Sequence, residues 1–265
     1  MLPTTKYVEP VERTLDSKFK FRCYKDISCF NKCCRHTNML LTPYDILRIK
    51  KRLGLSSGEF LEKYTSIHID EKSSHPFAVL QMLDDEEGKC PFLAAEGCSI
   101  YEDRPANCRY YPVGKGLMMK DSEKGPRPEE FYFFIREPNC LGYEEDQEWS
   151  IEEWRVEQGV DLYDEMNKEW KEIQLRRDNP GQPKLDQNKQ PLIYMASYDI
   201  DKFRKFVFES GFLNIFDIDH EEVEKMKTDD IALMKFGFKY LKYILMLEET
   251  LKVKAEHQKT ANTGD

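Results

Sequence analysis

Half of the eight cysteines in this 265-residue chain fall within twelve residues, at Cys23, Cys29, Cys33 and Cys34. The others follow one at a time as Cys90, Cys98, Cys108 and Cys140. This is the layout of a ligand set rather than of core packing. A thiolate is a soft donor, and several converging thiolates select zinc, copper(I) or an iron–sulfur cluster. The stretch from Cys23 to Cys34 has neither a helical nor a strand period. It is expected to be a loop wrapped around a metal centre.

The setting agrees with ligation. The opening MLPTTKYVEPVERTLDSKFKFR lacks the apolar segment of a secretory leader, and charge interrupts the apolar stretches, as Lys239 and Lys242 do between Phe236 and Leu247. No membrane span is expected. A reducing cytoplasm follows as the expected compartment, where clustered cysteines are ligands more often than disulfides. Eleven basic and three acidic residues lie between Arg13 and Arg52, although the whole chain carries a net charge of -9. Lys20, Arg22, Lys25, Lys32 and Arg35 would offset an anionic thiolate centre and lower its thiol pKa values. They equally suit a solvated surface patch. The acidic balance and the lack of a recognisable motif argue against nucleic acid.

Local signals predict the elements. Thr42 as N-cap, Pro43 at the first helical position and Gly54 as stop define a helix to Leu53. Ser57 is expected to cap a short helix over Glu59–Tyr64. Phe77–Leu83 and Phe131–Ile135 read as strands, Cys90–Tyr101 as a hairpin turning near Gly97, and Asp103–Pro112 as an irregular loop. Ser150 and Glu153 form a capping box before a helix over Ile151–Arg176, broken near Gly159. Asn179–Gln190 reads as a linker loop, Asp201–Glu209 and Asp219–Lys227 as helices, and Asp229 or Asp230 as the cap of a final helix reaching Lys254. The expected fold class is α+β. A cysteine-rich half of loops and short strands (1–145) is organised around a metal centre, a helical region (146–255) packs on it, and 256–265 form a disordered tail.

Adjacent side chains diverge, so Cys33 and Cys34 serve two centres, or one is a ligand and the other a structural thiol. Eight cysteines can fill two four-thiolate sites, or one site with spares, and the residues alone do not partition them. Cys29 and Cys33 have the spacing of a zinc-site pair, but Cys90, Cys98 and Cys108 are too widely spaced for a zinc knuckle. Zinc and iron–sulfur both remain open on this reading. Arg104 and Arg109 flank Cys108, either to reach cluster sulfurs or to brace a loop. Tyr101, Tyr110 and Tyr111 would shield a cluster or pack a core. His36 follows the cysteine pair, whereas His68, His75, His220 and His257 show no paired spacing. The run Asp84–Glu87 reads as a solvated turn, and Trp149, Trp154 and Trp170 as packing residues.

Cys29–Cys34 followed by LTPYDILRI, then CPFL, then GCSIYEDRPANCRYYPVG, resembles the CxxCxxCC cysteine-cluster proteins, also called the YkgJ family. Cys98, Ile100, Tyr101, Arg104, Pro105, Cys108 and Arg109 carry the most specific part of that pattern. The resemblance covers about Phe21–Cys140, and MASYDIDKFRKFVFESGF is similar to a later segment of many members. Here five residues separate Cys23 from Cys29 and three separate Cys29 from Cys33, and Asn31 and Lys32 stand where the family has glycine. The resemblance implies Cys29, Cys33, Cys34, Cys90, Cys98 and Cys108 as cofactor ligands, with Cys23 and Cys140 completing the metal set. It implies zinc or iron chelation and, first, an iron–sulfur cluster of the [4Fe–4S] type with a redox role. The alternatives are a structural zinc scaffold or interaction module, with a protein partner on the acidic helical half, and metal delivery. A related cysteine cluster in flagellin lysine N-methylases adds lysine methylation by analogy, without a glycine-rich cofactor loop to support it.

Overall fold

The computed structural model describes residues 7–9, 11–122, 125, 127–177 and 183–258. Its strands are β1 (Lys18–Lys20), β2 (Met39–Leu40), β3 (Thr65–Ile69), β4 (Pro76–Leu80), β5 (Leu93–Ala94), β6 (Gly97–Cys98), β7 (Val113–Lys120), β8 (Arg127–Phe134), β9 (Glu148–Ser150), β10 (Phe216–Asp217) and β11 (Lys252–Val253). Its helices are α1 (Pro43–Leu53), α2 (Ser57–Tyr64), α3 (Ala106–Tyr110), α4 (Ile151–Gln158), α5 (Val160–Arg177), α6 (Gln190–Tyr198), α7 (Ile200–Glu209), α8 (Phe212–Ile215), α9 (His220–Thr228), α10 (Asp230–Ile244) and α11 (Ala255–Gln258). The class is α+β. The strands form one three-stranded antiparallel sheet, β2-β4-β3, and the two-stranded pairs β1-β9, β5-β6, β7-β8 and β10-β11.

Where local chemistry decides, the elements start and stop as expected. Thr42 and Asp45 make a reciprocal capping box, and Gly54 ends α1 in the left-handed region at φ 66°. Each such cap is worth about 1 kcal/mol. Ser150 and Glu153 repeat the motif, and Gly159 at φ 62° separates α4 from α5. Asp219 and Asp229 cap α9 and α10. The cap of α2 is Ser56 rather than Ser57, because Ser56 Oγ receives the Glu59 amide.

Elsewhere long-range contacts override the local reading. Asp103–Pro112 is a 3₁₀ turn (Tyr101–Asp103) followed by α3, not an irregular loop. The buried Asp45 carboxylate reaches across to accept the Ala106 amide at 2.8 Å, satisfying a donor at the start of α3. The final helix ends at Ile244 rather than Lys254. Met246 turns into the left-handed region, and the chain returns to pair Lys252–Val253 with Phe216–Asp217. In the expected linker, Gln187–Lys189 is a 3₁₀ turn leading into α6, and 179–182 lie outside the described residues. Of the expected tail, Glu256 and His257 belong to the helical turn α11, and 259–265 lie outside the described residues. The N-terminal arm runs beside β8 through bridges Val8–Ile135 and Arg13–Tyr132. Its residues 1–6 and 10 lie outside the described set.

Two apolar cores result. The larger joins Leu41, Ile46, Ile49, Phe60, Phe92 and Ile100 to α5–α10 residues such as Ile173, Phe203, Phe236 and Leu241. The smaller gathers Phe19, Phe21, Tyr110, Val113, Phe134 and Trp154. Its rings meet edge to face, as Phe21 does with Trp154 at 5.5 Å and with Tyr143 at 5.3 Å. All three tryptophans are packing residues. Trp154 Nε1 also donates to the Tyr110 carbonyl at 3.0 Å, tying α4 to the end of α3.

Candidate metal centre

All eight cysteines are free thiols. Cys23 leaves β1 beside Phe21, whose amide donates to the Gln147 carbonyl at 2.8 Å, while the Arg22 amide donates to the Gly142 carbonyl at 3.0 Å. The chain around Cys23 therefore lies against the segment that carries Cys140. Cys29 is buried, and its Sγ accepts the Leu141 amide at 3.3 Å, one residue beyond Cys140. Cys140 packs on the smaller core with Tyr111, Tyr143 and Trp149.

Cys33 and Cys34 stand on a 3₁₀ turn (Lys32–Cys34) that follows Asn31 at φ 64°. Asparagine is among the few residues that enter the left-handed region at low cost, so Asn31 can hold this turn. After Cys34 the chain pairs with the segment that carries Cys90. The Cys90 amide donates to the Cys34 carbonyl at 2.8 Å, and the His36 amide to the Gly88 carbonyl at 2.8 Å. β5 and β6 place Cys98 opposite Leu93, and the Leu93 amide donates to the Cys90 carbonyl at 3.0 Å. Cys90 and Cys98 pack on the larger core. Cys108 projects from α3, the one helix bearing a cysteine among the described residues.

Burial and the charges of other thiols govern the cysteines together. Burial pushes Cys23 up to about 11, and the charges of Cys33, Cys29 and Cys140 add to it. Burial likewise raises Cys140, with the charges of Cys29 and Cys33 contributing and the Tyr111 hydroxyl opposing. Burial raises Cys90, with Cys98 contributing. Although Cys108 is exposed by surface area, protein packed around it raises its thiol well above the usual range, with the charges of Cys90, Cys98, Asp45 and Cys33 adding. The Cys34 thiol donates to the Cys33 sulfur, which lowers Cys33 and, with burial and the charges of Cys33, Cys108 and Cys90, raises Cys34. The two adjacent thiols thus act on each other, and Cys34 also feels Cys90 and Cys108.

The basic residues play a smaller part than the composition implied. Lys20 pairs with Asp146 at 2.8 Å, Lys25 with Glu96, and Arg35 with Glu87 at 3.3 Å. Arg104 is the cation that acts on a thiol, opposing the burial that raises Cys98. It also braces the loop, donating to the Tyr101 carbonyl and to Gln158 at 2.7 Å each. Arg109 donates to the carbonyls of Arg104 and Gln158 at 3.2 and 2.9 Å and to that of Glu102. Sequence reasoning missed two neighbours. Asp45 links α1 to α3 beside Cys108, and Glu137 receives the Tyr111 hydroxyl at 3.4 Å near Cys33. Both come from elements remote in sequence. His36 is exposed, with its ring over Gly88.

Among the described residues, no three His, Cys, Asp or Glu side chains already stand in a geometry that would hold a metal ion. The donor set itself fits one. Eight uncrosslinked soft donors, delivered by separate segments into neighbouring positions, match zinc and iron–sulfur chemistry. Among the described residues, no helix is long and apolar enough to cross a membrane.

No curated protein and no solved structure matches this chain. A family model does match, over residues 22–141. That span holds all eight cysteines and α1–α3. The model is that of the CxxCxxCC family, described as a "putative zinc- or iron-chelating domain", and the match is to this stretch of the chain.

Proposed function

We propose that the cysteine-rich half holds an iron–sulfur cluster of the [4Fe–4S] type, ligated by thiolates drawn from Cys23, Cys29, Cys33, Cys34, Cys90, Cys98, Cys108 and Cys140, and that the protein works in electron transfer. The observation that carries this reading is a set of eight free thiols on distant segments that backbone hydrogen bonds draw together, as Arg22 to Gly142 and Cys90 to Cys34 do. Such a cluster, when bound, supplies a one-electron couple whose potential follows charge, hydrogen bonding and exposure. The chain's own residues set those conditions. The Leu141 amide points at Cys29 Sγ at 3.3 Å, the Tyr111 hydroxyl reaches Cys140, and Arg104 lies near Cys98. Cys23 and Cys33 are exposed, which leaves an edge open to an electron partner. Ligation displaces thiol protons and draws loops together, so metal binding and folding of this half are coupled. So many free thiols favour a reducing compartment such as the cytoplasm.

The test is anaerobic purification followed by absorption and spin-resonance spectra with iron, sulfide and zinc analysis. A brown protein with stoichiometric sulfide that reduces reversibly is expected. A colourless protein holding zinc alone would overturn the iron–sulfur reading and leave a structural zinc centre.

A further inference from the structure

We infer that the eight cysteines divide into two four-thiolate centres, Cys23/Cys29/Cys33/Cys140 and Cys34/Cys90/Cys98/Cys108, set side by side with the Cys33–Cys34 peptide as their seam. This rests on the metal-binding reading above and extends it to the number and membership of the sites.

The division follows from how the backbone delivers each sulfur. In the first set, Phe21–Arg22 hydrogen-bonds to the 142–147 segment, which brings Cys23 beside Cys140. The Leu141 amide on Cys29 Sγ, at 3.3 Å, closes Cys29 onto the same segment. In the second set, the 2.8 Å bond from the Cys90 amide to the Cys34 carbonyl and the Arg35–Lys89 bridge hold Cys34 to Cys90. The β5-β6 hairpin adds Cys98. α3 adds Cys108, fixed at its start by Asp45. The two cores divide in the same way. Cys140 packs on the smaller core, whereas Cys90 and Cys98 pack on the larger. The Lys32 amide donates to the Cys29 carbonyl at 3.0 Å, which holds the turn that carries Cys33 against Cys29. An adjacent cysteine pair whose carbonyl and turn belong to different strands of this network suits two centres better than one.

The test is native mass spectrometry of the full chain, reconstituted anaerobically with ferrous iron and sulfide and, separately, with zinc, together with metal analysis. Two centres per wild-type chain are expected. Cys140→Ser and Cys98→Ser should each halve the bound metal, the two combined should abolish it, and Cys23→Ser combined with Cys140→Ser should still leave one centre. If Cys140→Ser fails to fold by circular dichroism, the exposed Cys23→Ser serves in its place. A wild-type chain with a single centre overturns the division while leaving the metal-binding reading intact, as does loss of all metal in a folded single variant. Two zinc ions without any cluster uphold the division and sink the iron–sulfur reading. No binding of either metal sinks both.

Discussion

His75 makes stability depend on pH in a way that can be worked through. It stands just before β4, is 1% exposed, and has an Nδ1 atom without a partner. Its Nε2 lies 3.0 Å from Gln174 Nε2. That contact makes Nε2 the acceptor and leaves the ring proton on Nδ1. Burial, and then the nearby Arg177 charge, lower its pKa from 6.5 to about 4, with Asp70 opposing. The folded state therefore refuses a proton that the unfolded chain accepts. The stability is fully present above the unfolded value and is lost as pH falls toward the folded one. The linkage relation gives a loss of about 2 kcal/mol between about pH 7 and about pH 5, approaching about 3 kcal/mol below about pH 4. Urea unfolding of the reduced protein, compared with His75→Phe at both pH values, isolates this share, because the other titrating groups are common to both chains. The wild type should lose about 2 kcal/mol more than the variant over that interval. Parallel stability–pH curves would refute the assignment of a buried, neutral His75.

Three other outcomes are expected. Asp164 anchors a buried ion network with Lys115 at 2.8 Å, Arg155 at 3.0 Å and Lys171 at 2.9 Å; Asp164→Ala leaves the buried Lys115 only the half-exposed Glu130 and should cost about 3 kcal/mol in chemical denaturation. In Gly237→Ala the new methyl would lie 2.7 Å from the Ala196 carbonyl oxygen on α6, so α10 must shift and the melting transition should fall by about 1–3 kcal/mol of stability despite the better helix former. Stripping metal from the holoprotein should raise amide exchange in 23–34 and 90–112 while β3-β4 stays protected, and equal protection in both forms would argue against folding around metal.

What could be read from the sequence were features closed by neighbours in the chain. Thr42, Asp45 and Gly54 settle α1 among themselves, and Ser150, Glu153 and Gly159 do the same for α4. What could not be read depends on distant partners. α3 owes a capping acceptor to Asp45, 61 residues earlier. β1 finds β9 across most of the cysteine-rich half, and β11 cuts α10 short by pairing with β10. The candidate site divides along the same line. The thiol chemistry is plain from residue type and density, but which sulfurs stand together depends on backbone bonds such as Cys90 to Cys34, and no local pattern encodes those.

The five residues of α3 begin with Ala106 in one apolar nucleus and end with Tyr110 in the other. Cys108 lies between them, like a key on a shaft with a bearing at each end. The shaft cannot roll without loosening Ala106 or Tyr110, so the bearing of that sulfur is set by the whole molecule. Substitutions far from any thiol that shift one nucleus against the other will therefore misdirect Cys108 before they unfold the chain.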